Sequence, residues 1–279
     1  MNQSQLYNIP HITSLAAQYH VTPSKQFGQN YLISERAIHA ILGAADLHKE
    51  DVVVEVGPGF GVLTFAVLPY VHQVQSFEIE KRLEPYWDEV CKNNNTLSVV
   101  WGNALKTVPQ HLPEKGLYKV VANLPYQITS RILRLFLEAK TPPERMVVMV
   151  QKEVAERICA TPGNMSVLAT AVQYFGVPKI ISKVPRTAFW PEPKVDSAVL
   201  AITGIEQKDS KERDAFFRIV KAGFASKRKQ LWHNLVSGLH VSPEQVKKCL
   251  EEVTGNTKIR AQELGVEDWK RLIGLLDIQ

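Results

Sequence analysis

Five short apolar runs, separated by helix-like segments, constrain most strongly what this chain can fold into. They are rich in Val and other apolar residues and lie at 51–57, 74–79, 97–102, 119–123 and 146–151. Strands buried on both faces of a parallel sheet have this nearly continuous apolar composition. The segments at 82–93 and 130–140 have the polarity and length of crossover helices. The alternation predicts an α/β fold with a doubly wound sheet.

The character of the chain changes after Thr203. Runs at 179–185 and 196–203 predict two further strands that close the sheet, with an antiparallel arrangement as one option. The polar stretch 204–214 reads as a linker, and the remainder is helical in pattern, with one long helix expected over 214–236. We therefore predict a sheet domain over 25–203, a small all-helical domain over 204–279, and a short, partly mobile extension over 1–24.

Composition excludes several classes of protein. The three cysteines and eight histidines are scattered without ligand spacing, so neither a disulfide framework nor a metal site is expected. No run approaches the roughly 18 apolar residues of a membrane span. The first 24 residues lack Lys and Arg, which argues against a signal or transit peptide and for a cytoplasmic location. The net charge of +5 is a weak indication of a polyanionic partner.

A glycine turn follows the first strand, in the stretch EVGPGFGVLT (55–64). Gly57, Gly59 and Gly61 would let the backbone approach a ligand at a helix N-terminus. The spacing differs from that of dinucleotide binders, and no lysine follows as in a phosphate-binding loop. Glu78, at the end of the second strand, is placed to accept ribose hydroxyls. Turn and acid together favour an adenosyl cofactor without phosphates, S-adenosylmethionine, over a purely structural turn.

Two further strand ends carry polar residues. Asn103 could accept a hydrogen bond from a cofactor adenine, and a local turn explains it equally well. The fourth strand ends in Asn123-Leu124-Pro125-Tyr126. The Asn123 side-chain oxygen and the Leu124 carbonyl could hold an adenine amine, while Pro125 fixes the backbone and Tyr126 offers a stacking face. Alone, this stretch is better explained as a proline turn; together with the glycine turn and Glu78, it indicates base methylation.

Taken together, these motifs resemble the ribosomal RNA adenine dimethyltransferase family from about residue 25 to the C-terminus. The stretches KQFGQNYL (25–32), MVQKEVAERI (149–158) and FWPEPKVDSAV (189–199) are further matches. The resemblance implies a Rossmann-like S-adenosylmethionine-dependent methyltransferase sheet. It places Gln29, Asn30, Leu32 and Asn123 at the cofactor, and Phe189 opposite Tyr126 on the target adenine.

The helical domain carries a cluster of cations suited to RNA phosphates. On one helix, Phe217, Val220, Phe224, Leu231 and Leu235 would form an apolar stripe, flanked by Arg218, Lys221, Lys227, Arg228 and Lys229. A solvated charged face is the alternative explanation. Two departures from the family pattern concern Asn103, where Asp is usual, and the irregular segment CATPGNMSV (159–167).

The resemblance implies N6-dimethylation of two adjacent adenosines in the 3′-terminal hairpin loop of small-subunit (16S) rRNA, carried out by a monomer on a pre-30S particle. Two alternatives stay open. One is the related large-subunit (23S) methyltransferase that confers macrolide resistance. The other is a non-catalytic assembly or transcription factor of the same fold.

Overall fold

The computed structural model describes residues 7–23, 29–112 and 117–278. The strands among these residues are β1 (Tyr31–Leu32), β2 (Val52–Val56), β3 (Gln73–Glu78), β4 (Leu97–Trp101), β5 (Tyr118–Asn123), β6 (Arg145–Gln151), β7 (Val177–Val184), β8 (Phe189–Trp190) and β9 (Ser197–Thr203). Seven of them form one sheet in the order β4-β3-β2-β5-β6-β9-β7, and β1 pairs with β8 separately.

The doubly wound α/β prediction is confirmed. The five predicted buried runs became β2 to β6, and strands β2 to β6 pair in parallel where they are neighbours. Strand β9 runs antiparallel to β6, with Gln151 opposite Ser197. The chain winds outward from β2 through β3 to β4, and then returns to the other side of β2 with β5. Ligands of such sheets bind where the winding direction reverses, beyond the carboxyl ends of the strands, which here means beyond β2 and β5.

The chain divides into two compact units, of which the first comprises residues 1–155 and 178–205 and contains the sheet. Its helices are α1 (Ile9–Gln18), α2 (Glu35–Ala45), α3 (Val62–Val67), α4 (Glu84–Lys92), α5 (Ala104–His111) and α6 (Thr129–Leu137); α7 (Lys152–Ile158) begins in it. Helix α1 lies inside the predicted mobile extension. Its Ile12 is fully buried and belongs to the core cluster, because the apolar face of α1 packs into that core.

The second unit comprises residues 156–177 and 206–279. Its helices are α8 (Val167–Phe175), α9 (Ser210–Gly223), α10 (Leu231–Leu239), α11 (Pro243–Thr254) and α12 (Val266–Leu276). This division differs from the sequence-based one because 156–177 groups with the C-terminal helices. Within the unit, the rings of Tyr174 and Phe216 stack with centroids 3.9 Å apart. In the irregular segment, the backbone N–H groups of Gly163 and Met165 both donate to the Gln262 carbonyl.

The single long helix expected over 214–236 is wrong. Helix α9 ends at Gly223 and α10 begins at Leu231, so the five predicted stripe residues do not share one helix. Gly223 permits close packing here, since an added Cβ would lie 2.4 Å from the Trp269 ring. The Asn234 side-chain amide donates to the carbonyls of Gly223 and Ser226 at 2.7 and 2.9 Å, which satisfies the end of α9 and holds the turn.

No helix among the described residues is long and apolar enough to cross a membrane.

Candidate active site

A cavity of about 290 Å³ opens beyond the carboxyl ends of β2, β3, β4 and β5. Each strand end contributes a predicted residue to its lining: Gly57 after β2, Glu78 at the end of β3, Asn103 after β4 and Asn123 at the end of β5. The four segments are far apart in sequence. The parallel sheet brings them together, because the carboxyl ends of its strands lie on the same edge.

The three glycines of the turn have different roles. All have positive φ, at 74°, 56° and 85°, which favours glycine. Gly57 and Gly59 line the cavity, and a Cβ on Gly59 would lie 2.8 Å from the Tyr31 ring. Gly61 is outside the lining; it precedes α3, and a Cβ there would lie 2.5 Å from the Phe65 ring. The first two glycines thus present bare backbone to the cavity, here called the close-approach surface, whereas Gly61 serves the start of α3.

Glu78 is buried, and its carboxylate is held by backbone N–H groups. Its Oε1 accepts from Ile79 and Glu80, both at 2.8 Å, and its Oε2 accepts from Gly59 at 3.1 Å. Burial raises the pKa of Glu78, and these three hydrogen bonds oppose the rise. Since Oε2 accepts only one N–H from the described residues, it keeps the capacity to accept a ligand hydroxyl.

Glu55 is a second buried carboxyl in the cavity lining that the sequence analysis did not single out. Its Oε2 accepts from the hydroxyls of Thr64 at 2.7 Å and Ser76 at 2.8 Å. Burial raises the pKa of Glu55 to about 7, while the two hydroxyls act in the opposite direction. The available signal was an acid inside an otherwise apolar strand, in the stretch VVVEV of β2.

The charge of the described cavity lining fits S-adenosylmethionine. The lining contains Glu55 and Glu78, but no Lys, Arg or His among the residues that the structure describes. A phosphate-bearing cofactor would lack a cationic partner here, whereas a sulfonium ion is favoured by nearby carboxylates. The bare backbone of Gly57 and Gly59 in the lining and the remaining acceptor capacity of Glu78 suit an adenosyl group. The lining therefore fits the predicted cofactor.

Asn103 lines the cavity, but its side-chain oxygen has a local partner. It is the N-cap of α5, and its Oδ1 accepts from the Leu105 N–H at 3.0 Å. The structure thus places Asn103 both as a helix cap and beside the cavity, and a second lone pair on Oδ1 is left for a ligand. A contact between Asn103 and adenine stays a prediction.

Three predicted cofactor residues, Gln29, Asn30 and Leu32, also line the cavity. The side chain of Gln29 hydrogen-bonds Glu80, and the Asn30 carbonyl accepts from the Asn123 amide at 3.2 Å. The first part of their motif, residues 25–28, lies outside the described residues.

Two oxygen acceptors stand at the end of β5 without a donor among the described groups. Because the Asn123 amide nitrogen donates to Asn30, its Oδ1 is the end left for another partner. The Leu124 N–H donates to the Met149 carbonyl at 3.1 Å, and no described group donates to the Leu124 carbonyl. The next carbonyl, of Pro125, is occupied by the Ile128 N–H and the Thr129 hydroxyl. The turn thus leaves two acceptors in adjacent residues.

Tyr126 lines the cavity and is fixed through its hydroxyl. The Tyr126 and Ser197 hydroxyls hydrogen-bond at 2.8 Å, with Ser197 fully buried at the start of β9. Burial raises the pKa of Tyr126, and the bond to Ser197 lowers it. The ring is therefore held as a neutral phenol whose orientation is set by β9.

Two aromatic residues, Phe189 and Tyr31, differ in their position relative to the cavity. Phe189, predicted to face the target base, is 3% exposed in the core cluster and outside the cavity lining. Tyr31, which was not predicted, lines the cavity; its ring stacks on Trp190, and its buried hydroxyl has no hydrogen-bond partner among the residues that the structure describes. Burial, followed by the charges of Glu78 and Glu80, raises the pKa of Tyr31.

The predicted RNA-binding cations lie in the second unit, and all are exposed. Two are on α9 and three are on the turn before α10: Arg218, Lys221, Lys227, Arg228 and Lys229. Residues 215–243 contain these five cations and no Asp or Glu. No group of three or more His, Cys, Asp or Glu side chains in the described part of the chain is arranged to hold a metal ion.

Residues 22–277 match the family model described as ribosomal RNA adenine dimethylase. Curated relatives include the ribosomal RNA small subunit methyltransferase A of Dehalococcoides mccartyi, 40% identical over 91% of this chain and 88% of that protein. The protein of the same name from Lactiplantibacillus plantarum is 39% identical over 92% of this chain and 91% of the relative. The predicted family is confirmed.

Two solved structures share the fold. A dimethyladenosine transferase from Plasmodium falciparum has a TM-score of 0.74 at 26% identity, over 88% of this chain and 97% of that one. The 23S rRNA methyltransferase ErmE has a TM-score of 0.72 at 26% identity, over 88% of this chain and 99% of that one. The predicted methyltransferase sheet with a helical C-terminal region agrees with both.

Proposed function

The chain belongs to the ribosomal RNA adenine dimethylase family, and from this premise we propose that it dimethylates N6 of two adjacent adenosines in the 3′-terminal hairpin loop of small-subunit rRNA. The identity to the small-subunit relatives, 39–40% over at least 91% of this chain, supports this substrate.

The observation that carries the proposal is the pair of acceptors at the end of β5. An adenine amine has two N–H groups to donate, and the Asn123 Oδ1 and the Leu124 carbonyl are two acceptors without described donors. Hydrogen bonds to both would favour a tetrahedral nitrogen whose lone pair is available for attack. Since the nitrogen becomes acidic once it is methylated, these residues need only orient it, and no strong base is required.

The base is held on its face by Tyr126. The bond between its hydroxyl and Ser197 fixes the outer end of the ring on which an adenine would stack. Phe189 is proposed as the second aromatic contact on the basis of its motif; it is buried in the core cluster, so its ring would have to move to meet a base.

S-adenosylmethionine supplies an electrophilic methyl group on a sulfonium sulfur. We assign Glu78 to the ribose hydroxyls, Gly57 and Gly59 to the close-approach surface, and Asn103 to the adenine edge. Gln29, Asn30, Leu32 and Asn123 line the remaining part of the cavity. Gly61 supports this set indirectly by starting α3.

The proposed partner is small-subunit rRNA in a pre-30S particle. We propose that the protein binds it in the cytoplasm, as a monomer and without a metal ion. The five exposed cations of residues 215–243 support an RNA partner, because Lys and Arg that neutralise phosphates supply most of the sequence-independent affinity.

A large-subunit rRNA is the second candidate substrate, favoured by the similarity to ErmE. Purified protein and labelled S-adenosylmethionine should transfer label to small subunits isolated from a strain lacking this modification, and digestion should yield dimethyladenosine. Label in large subunits alone would replace the proposed substrate by the second candidate. Tight particle binding without transfer to either subunit would favour the non-catalytic alternative. Fully methylated small subunits serve as the control and should accept no label.

A further inference from the structure

Trp232 and His233, in the first turn of α10, form a stacked pair on the second unit. Their ring centroids are 3.5 Å apart with an interplanar angle of 26°. The Trp232 indole N–H donates to the Gln230 side-chain oxygen at 2.9 Å, which fixes the edge of the ring. Trp232 is half-buried and His233 is exposed. The pair is therefore an ordered aromatic surface whose outermost ring is that of His233.

A cation stands on the indole as well. The Lys247 ammonium, from α11, lies 4.2 Å from the Trp232 ring centroid. The indole thus has two neighbours, the stacked His233 ring and the Lys247 ammonium. Because His233 is exposed, its outer face is the place where another flat ring can stack.

The surroundings of this pair suit a phosphodiester chain. The exposed cations Lys227, Arg228 and Lys229 immediately precede α10. No side chain caps α10, because the Gln230 side-chain oxygen is used by the indole; the backbone N–H groups of Leu231 and His233 donate to the carbonyls of Ile259 and Gln230. Flat stacking surface and clustered cations together are the features by which proteins hold unpaired nucleotides.

We propose that Trp232 and His233 form a stacking platform for one unpaired RNA base, with the neighbouring phosphates held by Lys227, Arg228 and Lys229. This inference rests on the proposed function and assigns the second unit a contact with single-stranded rRNA. Stacking accepts any base, so the platform recognises an unpaired nucleotide rather than a sequence.

Binding of a fluorescent single-stranded RNA oligomer to the full chain tests the platform. His233→Ala should weaken binding by roughly 5- to 100-fold, the usual effect of removing one stacking contact. His233→Phe should restore most of the affinity, because a phenyl ring stacks without carrying charge or donating a hydrogen bond. The matched control is His48→Ala, an exposed histidine of the first unit, which should bind as the unmodified chain does.

Salt dependence separates the platform from the cations. Lys229→Gln should reduce the slope of log affinity against log salt by about 0.7, the value for one phosphate contact on a single strand. His233→Phe should leave that slope unchanged. An RNA duplex offers no unpaired base, so His233→Ala and the unmodified chain should bind it with equal affinity.

Two results would overturn the platform. One is that His233→Ala binds the oligomer as tightly as the unmodified chain does; the other is that His233→Ala and His233→Phe lose affinity equally. Methylation of small subunits by the unmodified chain is measured separately. If transfer occurs and the His233 variants bind the oligomer normally, the platform alone is wrong; if no subunit accepts label, the proposed function fails whatever the oligomer shows.

Discussion

Replacing Glu55 by Gln should change how the stability of the protein depends on pH. Glu55 is buried in the cavity wall, and its pKa lies at about 7 instead of 4.5, chiefly because burial disfavours the charged form. The folded state therefore binds the proton more tightly than the unfolded state. The contribution of Glu55 to stability is fully present below about pH 4.5 and is lost as the pH rises through about 7.

The size of the effect follows from the two pKa values. At roughly 1.4 kcal/mol per pH unit, moving from 4.5 to about 7 corresponds to about 3 kcal/mol. Most of this, roughly 2.5 kcal/mol, is lost between about pH 5 and about pH 8, since the unfolded chain is already partly ionised at the lower value. Glutamine keeps an acceptor for Thr64 and Ser76 and does not titrate. The variant should therefore gain stability relative to the unmodified protein as the pH rises.

The measurement is urea unfolding of both proteins, followed by tryptophan fluorescence across this pH range. Titrating groups that do not interact with Glu55 contribute equally to the two proteins and cancel in the difference; the charge of Glu78 adds to the rise in the pKa of Glu55. Glu80→Gln is the control of opposite sign, because the hydrogen bond that Glu80 accepts from Arg82 is the main cause that lowers the pKa of Glu80. Loss of this hydrogen bond should lower the free energy of unfolding at neutral pH, and the difference from the unmodified protein should disappear in acid. A difference between Glu55→Gln and the unmodified protein that does not vary with pH would refute the reasoning.

Three further substitutions test the cavity. Asn123→Ala should abolish methyl transfer while calorimetry shows cofactor binding largely intact; equal loss of both would make Asn123 structural. Tyr31→Phe should raise the free energy of unfolding by about 1 kcal/mol, because it removes a buried hydroxyl that has no partner within the described part of the chain; a loss of stability would contradict this. Gly59→Ala should lower the free energy of unfolding by roughly 1–3 kcal/mol and weaken cofactor binding. Gly43→Ala, in open space within α2, should raise the free energy of unfolding by up to about 1 kcal/mol. Similar effects at both glycines would refute the close-approach role of Gly59.

The sequence allowed the sheet to be predicted to within one residue at each end of β2 to β6, because strands buried on both faces are apolar without interruption. The strand ends that form the cavity followed from the same pattern, together with the rule that ligands bind beyond the carboxyl ends. The break between α9 and α10 could not be predicted in this way. It depends on Trp269 packing against Gly223 and on the Asn234 amide reaching back to α9, which are contacts between distant residues.

Partners of individual side chains were beyond prediction for the same reason. Nothing near Asn123 indicates that the Asn30 carbonyl will occupy its amide nitrogen, yet that bond decides which end of the side chain meets a ligand. Likewise, Ser197 lies 71 residues from Tyr126, and only the antiparallel pairing of β9 with β6 brings the two hydroxyls together. The residues of the NLPY stretch were recognisable one by one. Their orientation is a property of the whole first unit, so Ser197→Ala should alter how Tyr126 is held although Tyr126 itself is unchanged.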